Sequence, residues 1–172
     1  MNAITSVRNA RSLAPAAVAV ALLGLSLAVR PAFAGGESPA PTKESLQAMY
    51  SEFLKAEGFN PEVDKDGDVA FKREGRVYFI DVGGAQKDPQ YFRMALPNIW
   101  PIESEQERAK VLAAVDYANM RAKVCKTHTV GNNVWVAVEV FVAKPSDFKA
   151  IFGRSLNAID GSTAVFVKKM RE

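Results

Sequence analysis

The sequence predicts an α+β fold, an antiparallel sheet with helices in the order α-β-β-β(β)-α-β-β-α. Three observations predict it. Apolar residues recur at helical spacing at both ends of the region 43–172 and once near its middle. Between them lie short alternating segments joined by Asp66-Gly67, Glu74-Gly75 and "GNN" (131–133), which are turn signals. Helices set apart from hairpins, rather than alternating with single strands, mean an α+β sandwich and not a doubly wound sheet.

The first helix is predicted in "KESLQAMYSEFLKAEG" (43–58), where Leu46, Met49, Tyr50, Phe53 and Leu54 share one face. Thr42 can cap its start, and Gly58 stands where a left-handed stop is expected. "NPEV", "DVAFKR" and "RVYFIDV" read as three strands, and "QYFRMALPNIW" (90–100) as a fourth in which Pro97 stops regular pairing. "DVGG" (81–84) between them reads as a loop. Ser104 and Glu107 have the spacing of a capping box and open a second helix. Its stripe is Val111, Leu112, Val115, Ala118 and Ala122. "KVCKTHTV" (123–130) and "VWVAVEVFV" (134–142) form a hairpin. The valines of the latter alternate with Trp135, Ala137, Glu139 and Phe141; both sets are largely apolar, which predicts cover on both faces. A stripe from Phe148 through Ile159 to Met170 makes "AVFV" (164–167) part of one long terminal helix rather than a strand.

The first 34 residues have the pattern of a secretory signal peptide. Arg8 and Arg11 precede an apolar run from Leu13 to Val29, and "AFA" (32–34) is an A-x-A cleavage signal. Residues 35–42, "GGESPAPT", read as a flexible leader, and 43–172 as the domain. The expected location is therefore periplasmic or secreted. The whole chain holds 22 Lys and Arg against 19 Asp and Glu. Cleavage removes Arg8, Arg11 and Arg30 and no acid, leaving 19 of each sign. That balance argues against nucleic-acid binding, or membrane binding after cleavage, through bulk charge.

Cys125 and His128 are the only residues of their types. At i and i+3 on a strand they point to opposite faces, so they form neither a local catalytic pair nor a metal clamp. "VDKDGDVAF" (63–71) resembles a calcium loop at first sight. With Asp64 as its first position, however, Val69 stands where glycine is required and Gly75 where glutamate is required. Asp66-Gly67 is instead expected as a two-residue hairpin turn. The acids Asp81 and Glu139 lie in predicted strands, where salt-bridged roles are expected. No hydrolase, zinc-protease, P-loop or dinucleotide motif is present. No enzyme activity, cofactor or metal site is expected. Three residues are candidates for partner binding: Ile99 and Trp100, held between Pro97 and Pro101 in a connecting segment whose favoured alternative is packing onto the sheet under the crossover, and Trp135 on a strand.

The stretches "GFNPEVDKDGDVAFKREGRVYFIDV", "DPQYFRMAL", "AVDYANMRAKVCKTHTVGNNVWVAVEVFV" and "FKAIFGRSL" resemble the YbjN family, labelled bacterial sensory transduction regulators. That family is similar in fold to the small type III secretion chaperones. The resemblance covers nearly all of 43–172. It implies a non-enzymatic binding or regulatory module, a homodimer, with an envelope protein or peptide segment as partner. An exported small-ligand binder or enzyme with a helix–sheet pocket is the alternative.

Overall fold

The computed structural model describes residues 40–172. The expected signal peptide (1–34) and most of the leader lie outside the described residues. The elements are α1 (Lys43–Ala56), β1 (Glu62–Val63), β2 (Val69–Arg73), β3 (Arg76–Ile80), α2 (Val82–Lys87), β4 (Tyr91–Pro101), α3 (Glu105–Arg121), β5 (Cys125–Val130), β6 (Asn133–Phe141), a 3₁₀ turn (Pro145–Asp147) and α4 (Phe148–Arg171). The six strands form one antiparallel sheet in the order β1-β2-β3-β4-β6-β5. The fold is α+β, with helices packed on an antiparallel sheet.

Local chemistry sets the ends of the elements. Thr42 Oγ1 accepts from the Ser45 amide at the start of α1. At its end Gly58 takes φ +86, and the amides of Gly58 and Phe59 donate back to Lys55 and Leu54. This Schellman arrangement satisfies carbonyls that the last turn would otherwise leave open. Glu74 (φ 51) and Gly75 (φ 77) are both left-handed, as a type I′ turn requires, so β2 and β3 pair tightly with Arg73 opposite Arg76. Gly131 (φ 56) and Asn132 alone make the β5–β6 turn, because Val130 already pairs with Asn133.

Three expectations change here. The β1–β2 connection is a three-residue loop, Lys65-Asp66-Gly67, closed by the Asp64 amide donating to the Asp68 carbonyl. The Asp64 carboxylate accepts from the amides of Asp66 and Asp68, and this local bonding sets the loop length. "VGGAQK" is the short helix α2 rather than a loop, because Asp81 caps it, its Oδ1 accepting from the Gly84 amide at 2.7 Å. Asp68 adds a second acceptor for its N-terminus, at the Val82 amide. On α3 the buried residues are Val111, Ala114 and Ala118; Leu112 is 51% exposed. One turn of helix separates Ala114 from Ala118, and the small side chains let α4 approach closely.

The core lies on one side of the sheet. Val69 and Phe71 of β2, Tyr78 and Ile80 of β3, Phe92, Met94 and Leu96 of β4, and Val136 and Val138 of β6 pack against α1 and α4. Tyr50, Phe53, Phe92 and Phe148 form an edge-on and stacked aromatic cluster at its centre. Val111, Ala114 and Ala118 of α3 join Val134, Ile102, Phe166 and Met170 in a second cluster. Asn119 fastens α3 to the outer edge of the sheet: its side-chain amide donates to the Thr127 carbonyl and accepts from the Thr127 amide. One side chain thus occupies backbone groups that an edge strand would otherwise leave unpaired. The opposite edge, β1, is only two residues long.

Candidate functional site

Alternation along the strands sends a second set of side chains to the other face of the sheet. The helices α1 and α4 pack on the opposite face, and the short α2 touches this one where Gly84 lies against the Tyr91 ring. The set includes Phe79, Tyr91, Arg93, Ala95, His128, Trp135, Ala137, Glu139 and Phe141, adjacent by register: Phe79 opposite Ala95, Ala95 opposite Ala137, Tyr91 opposite Phe141, Arg93 opposite Glu139, and His128 opposite Trp135. On this face of β6 Ala137 is fully buried and Trp135 and Glu139 are half-buried, so the expectation that both faces are covered fails at Phe141. The Phe141 ring is 76% exposed.

The centre of this face is ordered by Arg93. Its guanidinium carbon stands 5.4 Å from the centre of the Phe79 ring and 6.0 Å from that of Trp135, and those two rings meet edge to face at 5.7 Å. Arg93 also reaches both acids singled out in the sequence, with 3.6 Å to Asp81 Oδ2 and 3.3 Å to Glu139 Oε1. The Nε contact is an ion pair in distance only; its angle does not make a hydrogen bond, so that N–H is buried and unpartnered. Lys126 Nζ donates to the other Glu139 oxygen at 2.7 Å. Asp81 and Glu139 therefore converge on a shared cation, not on each other, which is salt-bridge chemistry and not an acid–base pair.

His128 stands beside this network. Burial holds its imidazole below the usual histidine range, and the charges of Lys126 and Arg93 push the same way. Nδ1 is buried without a partner. Cys125, three residues earlier, lies on the helix side, where burial pushes its thiol up to about 11 and keeps it protonated and unreactive at neutral pH.

The three sequence candidates separate. Trp135 belongs to the open face, where its indole N–H donates to Asn98 Oδ1 at 3.2 Å. Trp100 does not: it packs edge-on against Phe166 of α4, and its indole N–H donates to Glu107 at 2.8 Å. Ile99 bridges the two core clusters. "LPNIWPI" is not a connecting segment as expected, because β4 runs on through it. Leu96 pairs with Val136 and Trp100 with Val134, so three residues of β4 oppose Trp135 alone. Asn98, at φ 54, absorbs the excess. Because the bulge adds two residues, the alternation is preserved and Trp100 stays on the helix side with Leu96. Phe79, Tyr91, Arg93 and Phe141 are site residues that single-strand reading missed; the signal for them was the weak polarity of both faces of β6.

No group of three or more His, Cys, Asp or Glu side chains gathers as a metal site among the described residues. Likewise, no described helix is long and apolar enough to cross a membrane. No protein-family model and no curated protein matches the chain.

Proposed function

We propose that the protein is an exported, non-enzymatic binding module of the YbjN kind, and that it acts as a homodimer joined through the open face of its sheet. The observation that carries this reading is the aromatic group around Arg93, in which Phe79, Tyr91 and Trp135 are half-buried and Phe141 is 76% exposed. Aromatic residues and arginine are the side chains that dominate the energy of protein interfaces. A second copy is the favoured occupant because the face carries both signs of charge, Arg93 and Lys126 beside Glu139 and Asp81. Such a surface complements itself across a two-fold axis, and two sheets pack face to face with their strands nearly aligned. The dimer then presents its helix-side surfaces to an envelope protein or peptide segment.

Sedimentation velocity over a hundredfold range of concentration tests the reading. The wild-type protein should pass from monomer to dimer, and Phe141→Asp should stay monomeric with an unchanged far-UV spectrum. A monomer at every concentration, or a dimer indifferent to Phe141→Asp, refutes it.

A further inference from the structure

The ladder between β3 and β4 is cut short. Pairing runs through Ile80–Met94 and Phe79–Ala95 and stops. In that register Tyr78 would come next, opposite Leu96, and then Val77 opposite Pro97; the main-chain groups of alternate β4 residues from Arg93 onward, Pro97 among them, point toward β3. The Asp81 amide donating to the Arg93 carbonyl fixes that direction. Proline has no N–H to give. The bulge then carries Asn98 and Ile99 away, and a cleft of about 390 Å³ opens between Gly75–Val77 and Leu96–Ile99, with Thr163 and Val167 of α4 as its floor.

A second hollow of about 600 Å³ continues it along α4, sharing Arg76, Thr163 and Val167 and ending at Lys168 and Arg171. Neither Lys168 nor Arg171 makes an ion pair among the described residues, and Arg76 stands 3.8 Å from Asp160. Asp160 is already engaged by Arg73 and by the Tyr78 hydroxyl. Glu74 also lines this hollow and pairs with Arg73 at 3.5 Å, so three cations face two acids that are already engaged, an excess of positive charge at one end. Thr163, 2% exposed, lines both hollows, and its Oγ1 has no hydrogen-bond partner. A buried hydroxyl left in this state is an unmet polar group facing a cleft.

We propose that this split between β3 and β4 is a binding site for an extended acidic segment of a partner protein, which lays its main chain along Val77 and sets a carboxylate between Arg76, Lys168 and Arg171. Strand addition supplies the main-chain bonds that Pro97 cannot, and the cations select the side chain. The proposal deepens the reading of the protein as a module that holds a peptide segment, but the cations that select the carboxylate, Arg76, Lys168 and Arg171, are not among the open-face residues.

The test is fluorescence anisotropy of a labelled Asp-Val-Asp-Val-Asp-Val peptide against the wild-type protein and its variants. Saturable binding is expected, weakened about tenfold or more by Lys168→Glu with Arg171→Glu, since both partners of the carboxylate then repel it. Thr163→Val, which keeps the volume and removes the hydroxyl, should weaken binding several-fold without changing the fold. A Lys-Val peptide of the same length should not bind. Absence of saturable binding, or binding indifferent to the double reversal, overturns the proposal. Succinate competing at the same concentration as the peptide also overturns it, in favour of a small-anion site. Phe141→Asp separates the two readings: unchanged peptide affinity in a protein that no longer dimerises supports the cleft, whereas lost peptide binding puts the peptide on the open face and overturns it.

Discussion

Phe92 and Phe141 lie on neighbouring central strands but on opposite faces, and their truncation to alanine should have very different effects. Phe92 is 1% exposed and packs on Tyr50 and Phe148 at ring distances of 6.4 and 5.6 Å. Emptying that site costs about 3–5 kcal/mol, from lost burial and the cavity left behind. Phe141 is 76% exposed. Only a quarter of its side chain is shielded, and full burial of a phenylalanine contributes about 1.5–3 kcal/mol, so Phe141→Ala should cost roughly 0.5 kcal/mol. Urea unfolding at sub-micromolar protein, with the slope held near 2 kcal/mol/M, reads these as midpoint shifts of about 2 M and about 0.25 M. At high protein concentration the wild type should gain stability by mass action and Phe141→Ala should not. If Phe141→Ala costs 2 kcal/mol or more at high dilution, the open face belongs to the core of the single chain and the reasoning fails.

Other outcomes follow from the same contacts. Tyr50 and Tyr78 have phenols pushed up to about 12, chiefly by burial, with nearby Asp81 adding for Tyr50 and the hydrogen bond to Asp160 for Tyr78. Because the folded value lies above the unfolded one, their contribution to stability is intact below pH 10 and lost as pH rises from 10 to about 12; phenolate absorbance should show both titrating late. His128 is shifted the other way, so its contribution is intact above the unfolded value near pH 6.5 and falls as acid protonates the unfolded chain first; His128→Gln should flatten that limb of a stability–pH curve. Asp160→Ala strands Arg73 and the Tyr78 hydroxyl and should destabilise by about 1–3 kcal/mol in the same urea assay. Added calcium should leave the melting temperature within about 1 °C, because Asp64 and Asp68 already accept main-chain hydrogen bonds; a large rise would mean a true site.

Much of the fold was legible because it is written locally. Thr42, Gly58, Glu74-Gly75 and Ser104 act within a few residues of themselves, and the structure places each where local rules expect it. What was not legible depends on partners far along the chain. Asp81 makes α2 a helix with help from Asp68, on the other side of a hairpin. Asn119 is one polar residue on a helix until β5 arrives beside it. Pro97 announces an interruption of β4, but not that Asn98 would take up the slack and return the strand to the sheet. That return, with two extra residues that keep the alternation, leaves Trp100 facing α4 while Trp135 faces outward. The open face itself spans four strands, so no single segment reports it.

Photo-crosslinking most directly tests the claim that two copies meet on this face. Benzoylphenylalanine at position 141 should give a covalent dimer on irradiation. The same group at position 120, on α3 and 70% exposed, should give none. No adduct from position 141, or equal adducts from both, would contradict the account.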